Sequence, residues 1–168
     1  MGVEFAAGPV YLSFMRRFSM WTTLIACLAV AAGVQAATGK VIKVLPQYVD
    51  SKGRNSRFPS LYERDAYQAW LRLHTNQIAG MQFVVEWKTK GPAQGPVKVR
   101  VEARGVAHGN LPTELMIEKP VEPGGWFNHW TTVFVLSEDY KSVGSVTAWR
   151  VTLWDGTDQL GEQRSFLW

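Results

Sequence analysis

The side chains that could do covalent chemistry in this chain are few and scattered. His74, His108 and His129 are its three histidines, and a hydrolase would need one of them beside an activated serine or thiol. Serines are plentiful, but no G-x-S-x-G elbow presents one as a nucleophile. No two histidines fall within a helical turn or at the short spacing of a zinc ligand pair, so the sequence assembles no metal centre. Asp155-Gly156-Thr157-Asp158 looks like part of a calcium loop, yet the further oxygen ligands and the closing Glu of such a loop are missing. Its residues are those of a tight turn. The catalytic set is therefore empty and neither a cofactor nor a metal is expected; a small hydrolase is kept as an alternative.

Aromatic side chains offer more. The chain holds eight tryptophans, and in Trp126-Phe127-Asn128-His129-Trp130 strand alternation puts Trp126, Asn128 and Trp130 on one face. Sugar C–H faces stack on indoles while their hydroxyls bond to amides and carboxylates, so Trp126, Asn128 and Trp130, with Trp154 near a turn, could form a carbohydrate platform. The competing reading is that these rings fill the core of a domain without disulfides. Lys52, Arg54 and Arg57, in Lys52-Gly53-Arg54-Asn55-Ser56-Arg57, form a second candidate surface, one for an anionic polymer or lipid headgroups. A solvated loop has the same composition.

Composition bounds what could position these residues. With 46% hydrophobic and 19% charged residues the chain is that of a folded protein. Its 168 residues suit one domain plus an export signal. Arg16-Arg17, an apolar run over 20–34 and the small residues of Val34-Gln35-Ala36-Ala37 are the three parts of a secretory signal, so residues 1–37 are expected to be removed, with Met15 an alternative start. The run is shorter than the roughly 20 apolar residues that span a bilayer. Cys27 is the only cysteine, and Leu24-Ile25-Ala26-Cys27 also matches a lipobox, so a lipoprotein anchored at Cys27 is the alternative to a secreted or periplasmic protein. Residues 38–168 then carry a net charge of +3, too weak for nucleic-acid binding.

Those residues read as one mainly β domain. Val41-Ile42-Lys43-Val44-Leu45, stopped by Pro46, is a strand suited to a sheet edge. Ser60-Leu61-Tyr62-Glu63 is a capping box. Tyr62, Ala66, Ala69, Trp70 and Leu73 follow at helical spacing, which predicts a helix over 61–73 that buries Tyr62, Ala66 and Trp70. Met81, Phe83, Val85 and Trp87 alternate with polar residues, as do Val97, Val99, Val101 and Ala103. The breaker-rich segment 90–96 between them reads as the turn of a hairpin. Shorter strands are expected near 115–117 and over 126–135, a helical turn or a tight loop at 137–141, and a closing pair of strands over 145–168 with a bulge near Gly161 and an aromatic end plugging the sandwich. About seven strands with turn signals between them predict an antiparallel immunoglobulin-like β-sandwich with one inserted α-helix. A membrane β-barrel ending on Phe166 and Trp168 fits poorly, because Lys98, Arg100, Glu102 and Arg104 would face lipid.

Val41-Ile42-Lys43-Val44-Leu45-Pro46, Ser60-Leu61-Tyr62-Glu63-Arg64-Asp65-Ala66-Tyr67-Gln68-Ala69, Trp149-Arg150-Val151-Thr152-Leu153-Trp154-Asp155-Gly156, Gly161-Glu162-Gln163 and Ser165-Phe166-Leu167-Trp168 resemble segments of small secreted bacterial proteins with no assigned activity. The resemblance implies export and supplies no catalytic residue. The expectation is an exported, non-enzymatic β-sandwich module for binding or protein interaction, with a carbohydrate-binding domain as the alternative. Its partner would be a polysaccharide or another envelope protein.

Overall fold

A computed structural model describes residues 37–168 apart from His108, Gly124 and Trp126; the expected export signal, with Cys27, lies outside the described residues. Seven strands form two antiparallel sheets: β1 (Thr38–Asp50), β2 (Ile78–Lys90), β3 (Val97–Ala107), β4 (Leu111–Pro120), β5 (His129–Leu136), β6 (Ser145–Asp155) and β7 (Asp158–Arg164). The strand orders are β1-β2-β5 and β4-β3-β6-β7, the split and Greek-key crossovers of an immunoglobulin-like sandwich. Helix α1 (Leu61–Leu73) is inserted between β1 and β2, and a shorter α2 (Ser137–Val143) lies between β5 and β6. Among the described residues no helix is long and apolar enough to cross a membrane.

Strand alternation builds the core. Met81, Phe83, Val85, Trp87, Val133 and Val135 come from one sheet and meet Val97, Val99, Val101, Val151 and Leu153 of the other, all buried. The Trp87 indole N–H donates to Thr131 Oγ1 at 2.8 Å, so its polar tip is satisfied inside. Phe83 meets Trp149 edge-on with ring centroids 6.3 Å apart.

One expected pairing is overturned. β2 and β3 are not a hairpin; they belong to different sheets, and residues 91–96 carry the chain across the sandwich. Alternation reports which side of a strand is buried, and it is silent on the strand beside it. The Asp155 carboxylate fixes the crossover by accepting from the backbone N–H groups of Gln94 (2.9 Å) and Gly95 (2.7 Å). β3 instead forms a hairpin with β4 through a turn in which Gly109 and Asn110 both have positive φ (81° and 58°), the left-handed backbone that a tight reversal needs. The expected bulge near Gly161 is present: the register jumps from Leu153 opposite Gly161 to Trp154 opposite Gln159, leaving Leu160 as the extra residue.

The helix spans the predicted residues, with Ser60 Oγ accepting from Glu63 N–H at 3.2 Å, but it is turned the other way. Tyr67, Gln68 and Leu71 are buried, whereas Tyr62 is 81% and Leu73 83% exposed and Ala66 faces solvent. The surface it docks on is a strand edge, which offers backbone donors and acceptors and so selects an amide over an apolar stripe. Gln68 Oε1 accepts from Tyr48 N–H (2.7 Å) and its Nε2 donates to Tyr48 C=O (2.8 Å), standing in for one residue of a neighbouring strand. Pro46 shares the parity of Tyr48, so its missing N–H falls on the same unpaired side.

The chain end is the third correction. After β7 it does not plug the sandwich: Phe166 is fully exposed, and the Trp168 ring lies outside, 4.2 Å from the Arg104 guanidinium and 4.9 Å from that of Arg150. Leu160 packs against the core instead. There β7 meets β1 so closely that a Cβ on Gly161 would lie 3.0 Å from the Lys40 Cα and the Val41 nitrogen.

Candidate functional site

The two outer faces of the sandwich differ in what they leave unsatisfied. On the four-stranded sheet, Glu118 pairs with Lys98 (3.0 Å) and Arg100 (2.7 Å), Glu114 with Arg104 (2.9 Å), and Glu102 with Arg150 (2.6 Å). The hydrogen bond from Arg150 holds the Glu102 carboxyl below its ordinary range, and Lys98 followed by Arg100 does so for Glu118. Trp154 belongs to this face, donating to Thr152 Oγ1 at 2.8 Å with the Arg100 guanidinium 4.6 Å above its ring. These charges satisfy one another.

The three-stranded sheet presents a different surface. His129, Thr131, Val133 and Val135 of β5 point inward, so Trp130, Thr132, Phe134 and Leu136 point outward. Trp130 is 54% and Phe134 46% exposed. Trp130 lies opposite Glu86 of β2, and Glu86 opposite Lys43 of β1, which places an indole, a carboxylate and an ammonium in one row. Asn128 Nδ2 donates to Glu86 Oε1 at 2.8 Å, presenting the amide beside the indole.

His129 positions this group. Its ring stacks on buried Trp87 with centroids 5.1 Å apart, and its Nε2 accepts from Gly125 N–H at 3.3 Å, tying the approach segment to the core. His74 is also engaged, its Nδ1 2.9 Å from Trp70 O and its ring stacked on Trp70 at 4.3 Å; His108 lies outside the described residues. No three His, Cys, Asp or Glu side chains converge among the described residues.

Of the sequence candidates, Trp130 and Asn128 stand together, Trp154 stands on the other sheet, and Trp126 lies outside the described residues. Phe134 and Leu136 extend the surface; continuing the alternation of Asn128 and Trp130 down β5 would have found them. Arg54 of the basic loop is taken up internally, its Nε and Nη2 donating to Asp50 Oδ2 at 2.9 and 2.8 Å. The Arg57 guanidinium sits 4.9 Å from the Tyr67 ring and 5.2 Å from that of Trp70. Lys52 uses only its backbone N–H, to Asp50 Oδ1, and keeps its side chain in solvent.

A concavity of about 820 Å³ lies at the end of the sandwich, between Ile78, Val106, Asn110, Tyr140, Lys141 and Ser145. Burial raises the Tyr140 phenol above its ordinary pKa, so it stays a neutral donor there.

Fold and surface together define an immunoglobulin-like sandwich with an outer face on which Trp130, Phe134 and Leu136 are exposed beside Glu86 and Asn128. Comparison with protein-family models, curated proteins and solved structures finds no match to this chain.

Proposed function

We propose that the chain is an exported, non-enzymatic binding module that takes its ligand on the outer face of the three-stranded sheet around Trp130. The carrying observation is the grouping of Trp130, Phe134 and Leu136 in one exposed row on β5, whereas the four-stranded face is crossed by ion pairs with the exposed Met116 set singly among them. Exposed large apolar side chains grouped on one face mark an interaction site more often than scattered ones do. Export rests on the signal-like segment over 15–37.

A polysaccharide is the ligand favoured by the pairing of Asn128 with Glu86 beside Trp130, since an indole face next to an amide and a carboxylate suits C–H stacking with hydroxyl recognition. Another envelope protein is the second ligand class, favoured by the apolar continuation through Phe134 and Leu136. Titrating the purified protein with soluble polysaccharides while following tryptophan emission separates the two. For a sugar ligand, W130A should weaken binding about tenfold, equivalent to about 1.4 kcal/mol, while W154A binds as the wild type does. Absence of any saccharide response sinks the sugar reading. Ligand affinity unchanged in a W130A/F134A variant would remove the face itself.

A further inference from the structure

Helix α1 carries an apolar crest that the binding face does not use. Tyr62, Ala66, Ala69 and Leu73 lie along the side opposite Tyr67, Gln68 and Leu71, and all four are exposed. Asp65 and Arg72 flank the crest on one side, Glu63 and Trp70 on the other, as the 100° turn per residue dictates. Among the described residues Asp65 reaches only Arg64, at 3.8 Å, and Arg72 has no side-chain partner.

We infer that this crest is a self-association surface, on which a second copy of the chain packs its own α1 antiparallel about a two-fold axis midway between Tyr67 and Gln68. In that register Tyr62 of one copy faces Leu73 of the other, and Ala66 faces Ala69. Large side chains close the ends while the alanines let the helices approach to about 8 Å, the near limit of helix packing. The same flank of each helix meets its symmetry mate, so Arg72 reaches Asp65 of the other copy and the pair occurs twice, as an isologous interface requires. A parallel arrangement would set the Asp65 and Arg72 flank against the Glu63 and Trp70 flank of the other copy, with the like charges Asp65 and Glu63 side by side. Glu63 and Asp65 beside the crest count against an anionic lipid surface, which favours a basic polar face. One helix per copy covers less than the roughly 800 Å² per partner of a standard interface, so the dimer is a weak one whose population rises with concentration.

Sedimentation of the purified protein over a concentration series tests this. The wild type should move from monomer to dimer, R72D should weaken the dimer at least tenfold, and the charge exchange D65R/R72D should restore it. A66W, which fills the centre of the contact, should abolish it. All three sites are exposed, so each variant should melt within a few degrees of the wild type. A wild type that stays monomeric throughout, or R72D and A66W dimers as tight as the wild type, overturns the proposal. An exchange that fails to restore the dimer overturns the antiparallel register. Flotation of the monomer with phosphatidylglycerol vesicles, lost in L73E, would assign the crest to lipid and also overturn it.

Discussion

Removing the Asp50 carboxylate should loosen the attachment of α1 to β1 by a predictable amount. Asp50 is buried at the end of β1; its Oδ1 accepts from the backbone N–H groups of Lys52 (2.8 Å) and Arg54 (2.9 Å), and its Oδ2 from the Arg54 side chain and the Tyr67 hydroxyl (2.8 Å). Burial pushes this carboxyl up, but those hydrogen bonds outweigh it, the Arg54 side chain foremost, and hold it well below the ordinary range. In D50A the phenol of buried Tyr67 loses its acceptor, which costs about 1–3 kcal/mol. The Arg54 guanidinium is half in water and is left out of this figure. With a central value of about 2 kcal/mol, the thermal midpoint should fall by roughly 6–12 °C for a domain of this size. Y67F, which removes the phenol and leaves Asp50 its Arg54 and backbone donors, should cost less than D50A, and D50A/Y67F should fall short of the sum of the single changes. The depressed folded-state pKa fixes the sign with pH. The contribution is complete above the unfolded carboxylate value of about 3.9 and disappears as pH falls through the lower folded value. Denaturant melts of wild type and D50A should therefore draw together as pH falls below about 5, with the gap still narrowing at about pH 2. A gap below about 0.5 kcal/mol at pH 7, the size of an ordinary surface change, would refute the reasoning.

Q68A should cost about 1–3 kcal/mol, because Tyr48 N–H and C=O lose their partner, and should scatter light at protein concentrations where the wild type stays clear; Q68E, which can no longer donate to Tyr48 C=O, should behave similarly, and unchanged solubility of both would count against the role of the amide. G161V drives a Cβ into the Lys40 and Val41 backbone and should destabilise by about 1–3 kcal/mol, whereas G125A, with no atom within 4 Å of an added Cβ, should stay within about 0.5 kcal/mol of the wild type in the same melts.

Local rules carried much of the fold into the sequence. The capping box at Ser60 placed α1, and alternation along Met81 to Trp87 and Val97 to Ala103 placed the core-facing residues, because both depend on neighbours in the chain. Pairing was less legible. Nothing in Gly91-Pro92-Ala93-Gln94-Gly95-Pro96 distinguishes a hairpin from a crossover, and the deciding contact comes from Asp155, about sixty positions away. The face of α1 was misread for a related reason: apolar spacing predicts burial against an apolar surface, while Gln68 and Tyr67 dock by hydrogen bonds to Tyr48 and Asp50. In the candidate site, Asn128 and Trp130 were visible through alternation. That Trp154 stands on the other sheet depended on strand order, which one sequence does not state.

The Gln68 contact with Tyr48 also bears on the order in which the chain assembles. It joins residues twenty apart, whereas β1 must wait for β2, with Asp50 opposite Ile78 and Thr38 opposite Lys90. Closing the shorter loop costs less entropy, so β1 and α1 can form a local unit before the first sheet exists. A chain emerging amino end first would then have its earliest strand already covered by its own helix before the other six strands were available.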